Sequence, residues 1–196
     1  MRRLRHAELP EATETLARYL VGKTLVRIVP EGRLAGRIVE TEAYLPRDAA
    51  CHAYGGLTQR NRALFMAHGH VYVYFIYGNH FMLNVSSEAE GVGAGVLLRA
   101  VEPIEGIALM QKYRGITRLR ELANGPGKLA QAFRIDMRLY GHDYCAGAPL
   151  WFADTVEPVR RIGKSRRIGI NKNAHRLLRF YERGNPFVSG PKSLRN

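Results

Sequence analysis

The sequence predicts an α+β fold: one domain built on a curved, mainly antiparallel β-sheet, with flanking helices and a protruding β-hairpin. Three observations predict it. Segments with strand-like patterning outnumber helical ones. Two of them, 71–77 and 81–86, are joined across Gly78-Asn79, whose residues tolerate positive φ, so they pair as a hairpin. No repeat, low-complexity stretch or linker-like shift in composition divides the 196 residues, a length that suits a single core.

The elements follow in order. Residues 11–21 form a helix: Pro10 suits its first turn, Ala12, Leu16 and Leu20 share a face, and Gly22 stops it. Residues 24–30 and 34–45 are strands, and 46–57 is a loop ending in Gly55-Gly56. Thr58 is the N-cap expected for a short helix, TQRNRALFM. After the hairpin, 94–103 is an apolar strand and 106–113 a helix. A further helix follows Gly127, and strands near 149–152, 159–163 and 178–182 complete the sheet. The tail from Pro186 is expected to be irregular.

Lys and Arg number 30 against 17 Asp and Glu, a net charge of +13. Such an excess favours a polyanionic partner such as nucleic acid. No apolar run reaches the roughly 18 residues of a membrane span. The basic start MRRLRHAELPE lacks the apolar core of a secretory signal. Cys51 and Cys145 are too few for a disulfide framework and read as reduced thiols. A cytoplasmic protein, nucleoid-associated if bacterial, is expected. His52 beside Cys51 lacks the further ligands of a zinc site, so no metal and no other cofactor is expected.

Three constellations carry chemistry. In VETEAY (39–44), strand periodicity puts Glu40, Glu42 and Tyr44 on one face. Two carboxylates there want water, a cation or a catalytic task, and periodicity does not separate Glu40 from Glu42. Arg99 interrupts the apolar strand AGVLLRAVEP and needs a carboxylate partner, for which Glu42 and Glu40 both qualify. The hairpin VYVYFIYGNHFMLNV gathers five aromatics; Tyr77 sits at its turn, where little core remains to be filled, and Asn84 is a lone amide in an apolar strand. An aromatic wedge entering a base step fits Tyr77 and the charge together. Tyr72, Phe75 and Phe81 need only strand packing. GPGKLAQAF (125–133) is no Walker A motif, yet its glycines and Lys128 suit one DNA phosphate. The run 160–176 adds further positive surface.

Six segments in order, IVETEAYL, GGLTQRNRALFM, GHVYVYFIYG, VLLRAVEP, NGPGKL and RFYERGNPFVS, resemble the alkyladenine (3-methyladenine) DNA glycosylases of bacteria and mammals. The resemblance runs from about residue 8 to about residue 189. It implies a monomeric enzyme acting on double-stranded DNA with damaged purines, flipping the damaged nucleotide and hydrolysing the N-glycosidic bond. The product is an abasic site, made without strand cleavage. The resemblance makes Glu42 the catalytic base and Arg99 its helper in holding water. It makes Tyr44, His52 and Tyr74 walls of the base pocket, Asn84 the amide that disfavours guanine, and Tyr77 the residue that fills the gap in the duplex. Thr58, Arg60, Arg62, Asn79 and Lys128 are the expected DNA contacts. Two departures from the mammalian pattern stand out: shorter loops before His52 and before Thr58, and an amide, Asn79, where an apolar residue flanks the wedge. A non-catalytic nucleic-acid-binding module is the alternative, but it leaves Glu42 and Arg99 without a task.

Overall fold

The computed structural model describes residues 1–76, 78–155, 159 and 161–190. Its eight strands are β1 (Thr24–Val29), β2 (Gly32–Tyr44), β3 (Val71–Ile76), β4 (His80–Ser86), β5 (Gly95–Glu105), β6 (Leu150–Ala153), β7 (Ile162–Ser165) and β8 (Arg179–Glu182). The three α-helices are α1 (Thr13–Leu20), α2 (Ile107–Arg114) and α3 (Pro126–Ala132). All strands join one curled antiparallel sheet of order β3-β4-β5-β2-β1-β6, with β8 bridging β2 and β7. The fold class read from the sequence is the one observed.

β2 organises the sheet. It pairs with β5 along one edge, and along the other first with β1 and then with β8. Because it is covered on both sides, it reads as a long apolar strand broken by charge. Its register against β5 slips three times, once between Ala35 and Gly36 and twice around Glu40: Ile38 faces Val101, Glu40 faces Ala100 and Thr41 faces Leu98, so Val39 and Arg99 lack direct partners. Such bulges re-aim side chains. Beyond them Thr41 and Ala43 point to the main core, Thr41 donating to Ala17 O (2.8 Å), while Glu40 and Glu42 point to the other face.

The main core packs Leu16 and Leu20 of α1, Leu129 of α3 and Phe133 just after it onto Leu25, Ile38, Val71, Val85, Leu98 and Phe180 of the sheet. These fully enclosed side chains each contribute on the order of 1.5–3 kcal/mol of burial.

Four sequence expectations shift. TQRNRALFM forms only a 3-10 turn, Arg62–Phe65, because Thr58 and Asn61 pair with each other: Thr58 N donates to Asn61 Oδ1 (2.7 Å) and Asn61 N to Thr58 Oγ1 (3.3 Å). The strand expected at 159–163 begins at Ile162, where pairing with Glu182 sets its register. The return strand of the hairpin starts at His80, one residue before the expected Phe81, pairing with Ile76, and Gly78 has φ 70°, a left-handed conformation open to glycine. The tail beyond Pro186 is irregular yet buried through Phe187, Val188 and Ser189.

Candidate active site

A cavity of about 290 Å³ opens between the hairpin and the end of β2. It is lined by Tyr44, His52, Tyr72, Tyr74, Asn84 and Arg99, with Leu64, Met82 and Ile168 among its apolar walls. The volume lies at the small end of ligand pockets and suits one flat heterocycle. Its aromatic walls are locked together. His52 Nδ1 lies 2.8 Å from the Tyr72 hydroxyl, and the His52 ring meets Tyr74 edge-on with centroids 4.4 Å apart. Desolvation lowers the His52 pKa, with Arg60 adding to the effect, which favours the neutral ring. Tyr72 is 1 % exposed and forms part of the cavity wall, so its role exceeds the strand packing expected of it. Phe75 departs in the other direction: it is 46 % exposed, touching Phe81 with centroids 4.9 Å apart.

Glu40 and Glu42 are both fully buried at the floor of this region, but their surroundings differ. Glu40 accepts four hydrogen bonds: from Arg99 Nε (2.8 Å), Arg179 Nε (2.6 Å), Ser189 Oγ (2.8 Å) and Ser189 N (2.7 Å). Burial works to raise its pKa, yet Arg99, Arg179 and the Ser189 N–H outweigh it and hold the carboxyl below its usual range. Glu42 accepts only from the Tyr44 hydroxyl (2.9 Å) and Ile168 N (2.8 Å), with Arg99 Nη1 at 3.3 Å. There burial prevails over those partners, and Glu40 adds to it, so the Glu42 pKa is raised. A carboxylate has about four lone-pair sites. Glu40 takes four protein donors, three of them on Oε1; Glu42 takes two and has room for another. Its three neighbours Tyr44, Arg99 and Ile168 all line the cavity.

Asn84, 6 % exposed, lines the cavity with its Nδ2 donating to Tyr72 O (3.2 Å) and Met82 O (3.4 Å). Arg60 and Arg62 are exposed beside the hairpin: Arg60 Nη2 donates to Phe75 O (3.4 Å), and the Arg62 guanidinium stands 5.7 Å from the Tyr140 ring. Thr58 and Asn79 are exposed, Asn79 at the hairpin tip. Tyr77 lies outside the described residues. Lys128 is half-buried and donates to Asn124 Oδ1 (2.9 Å). The preceding glycine has a packing role. A Cβ at Gly127 would come 2.9 Å from His80 Cγ, so glycine is what lets the hairpin approach α3.

Sequence reasoning missed three residues. Asn61 Nδ2 donates to His52 O and Gly56 O (both 2.9 Å) and so ties down the loop that carries His52. Arg179 and Ser189 hold Glu40. An arginine inside the strand RFYE signalled a buried pair; Ser189 gave no signal. Among the described residues, the one group of side chains close enough to share a metal is His6, Asp143 and Cys145, and none of them lines the cavity.

Comparison with known proteins places this geometry in context. The family model for methylpurine-DNA glycosylase (MPG) matches residues 7–186. A protein of Mesorhizobium japonicum is 58% identical over 188 residues, covering 96% of this chain and 90% of its own. One of Paraburkholderia phytofirmans is 48% identical, covering 95% and 88%. One of Chlorobaculum parvum is 47% identical, covering 96% and 91%. All three carry the provisional name 3-methyladenine DNA glycosylase. Among the described residues, no helix is long and apolar enough to cross a membrane.

Proposed function

The chain belongs to the methylpurine-DNA glycosylase family, and from that premise we propose that it excises alkylated purines from duplex DNA by hydrolysis alone. The observation that carries this reading is the inequality of the two carboxylates: Glu40 is held by four hydrogen bonds from the protein, whereas Glu42 accepts two and stands next to an aromatic cavity.

A purine alkylated at N3 or N7 carries positive charge and leaves readily. Flipped into the cavity, it lies against Tyr44 and Tyr74, whose faces favour a cation by about 0.5–2 kcal/mol. Damaged bases also pair poorly, so extruding them costs less. As the glycosidic bond breaks, its electron pair goes to the base and neutralises it, and positive charge grows on the sugar. Glu42 stabilises that charge and takes a proton from water as the oxygen bonds to the sugar carbon. Arg99, 3.3 Å from Glu42 and anchored on Glu40, orients the carboxylate and the water. Asn84 crowds the exocyclic amino group of guanine. Tyr77 holds the vacated place in the duplex, and Arg60, Arg62, Thr58 and Asn79 contact the DNA around it. Lys128, bound to Asn124, is no candidate for attack on the sugar, and this supports a monofunctional enzyme.

The test is base release. Methylated duplex DNA incubated with the protein in EDTA should yield free 3-methyladenine and heat-labile abasic sites without direct strand breaks. Intact bases, or breaks that require a divalent metal, would refute the proposal.

A further inference from the structure

Behind the Tyr44 wall lies a side chain that the reaction above does not use. Arg167 is 5 % exposed, and its side chain is completely enclosed. Its Nη1 donates to Ala43 O (2.9 Å) and lies 2.7 Å from Asp48 Oδ2. Its Nε and Nη2 are buried and, among the described residues, have no hydrogen-bond acceptor. What they have instead is the Tyr44 ring, whose centroid is 4.6 Å from the guanidinium carbon. Buried N–H groups without acceptors are rare, and an aromatic face is the one remaining negative surface to receive them.

Tyr44 therefore shares its π-electrons between two sides. One side of the wall is cavity; a buried cation is the other neighbour. That cation draws on the electron density which would otherwise attract a positively charged base, and repels such a base through the ring. Asp48, also touched by Arg176 at 4.0 Å, offsets this only in part. A neutral base feels little of either effect. We propose that Arg167 is a specificity-determining residue: a cation stacked behind the pocket wall that lowers the preference for charged over uncharged bases and so widens the range of lesions accepted. The inference rests on the glycosylase reading for its substrate class. Its physical content, the response of the pocket to a base's charge, does not.

The residue also positions. Ile168, next in the chain, donates its N–H to Glu42, and Asp48 lies in the loop leading to His52. A merely structural Arg167 would thus affect all substrates alike, which makes a ratio the decisive readout. Single-turnover release should be measured from duplexes holding one 7-methylguanine, a cation, or one hypoxanthine, which is neutral. The enzymes compared are the wild type, Arg167→Gln and the double variant Asp48→Asn/Arg167→Gln. The double variant removes the buried pair without stranding Asp48 and keeps the comparison available if the single variant unfolds. The expected result is a rise of about three- to tenfold in the cation-to-neutral ratio, the scale of one cation–π contact. Arg167→Lys, which keeps the charge, should leave the ratio within about twofold of wild type, on the same scale. Parallel losses on both substrates in the neutral variants, with the ratio unmoved, would overturn the inference, as would an equal rise in Arg167→Lys. Equilibrium affinities for the two duplexes are measured alongside. Should the wild type release neither base, the glycosylase reading fails by itself, and the ratio of affinities still decides whether Arg167 weighs charge: a threefold or greater shift supports it and an unchanged ratio overturns it.

Discussion

Replacing Glu42 with glutamine separates chemistry from architecture. The amide fits the existing contacts. Its oxygen can take the place of Oε1, accepting from Ile168 N (2.8 Å) and facing Arg99 (3.3 Å). Its NH₂ then meets the Tyr44 hydroxyl (2.9 Å), which can turn and accept. No cavity is left and no charge is stranded except Arg99, which keeps Glu40. Burial raises the Glu42 pKa, which means that the ionised form strains the fold; the neutral amide relieves that strain, so the melting temperature should hold or rise. Catalysis should collapse. An amide cannot take the proton from water, and general-base assistance is worth about 10²–10⁴-fold, or roughly 3–5 kcal/mol of barrier. The measurement is single-turnover base release on alkylated duplex together with a thermal melt and lesion binding. Release within about fivefold of wild type would refute the assignment, that being far short of general-base magnitudes. A melting temperature lowered by several degrees would refute the argument that the carboxylate is held against its preference.

Other expectations follow from the same geometry. The acid limb of the pH–rate profile should lie above the usual carboxylate value of 4.5, because Glu42 must be ionised and burial raises its pKa: activity is present above that value and falls as pH drops through it. A limb below 4.5 would contradict this. Tyr77→Ala should weaken lesion affinity and excision by about tenfold or more while leaving nonspecific binding intact, since unstacking a base step costs a few kcal/mol. Unchanged excision would remove the wedge role. With a net charge of +13, DNA affinity should fall steeply between roughly 50 and 200 mM salt, and a flat response would exclude a phosphate-dominated interface.

How much of this was legible beforehand varies by residue. Arg99 announced itself, because a charge in an apolar strand demands a partner, and it has two. The hairpin was legible from its turn chemistry and alternation. Glu40 and Glu42 were not separable, since a period of two places both on one face. What separates them is the set of donors, and those come from Arg99, Ile168, Arg179 and Ser189 on other elements. Local pattern carries no information about pairings that distant. The helix expected after Thr58 failed for a local reason that could have been weighed: Asn61 spends its side chain on Thr58 N, His52 O and Gly56 O, and a residue so engaged favours turns over helix. Tyr72 was passed over because aromatic strand residues usually need no explanation. Its place in the cavity lining and its pairing with His52 mark it as part of the wall.

The bond between Glu40 and Ser189 spans 149 residues of chain. On a ribosome adding about 5–20 residues each second, Glu40 therefore emerges roughly 7–30 s before the serine that completes its shell. During that interval β2 carries an under-bonded carboxylate, and Arg99, once made, has no finished partner to lean on. The donors around Glu40 are thus complete only once β8 and the segment after it have been made.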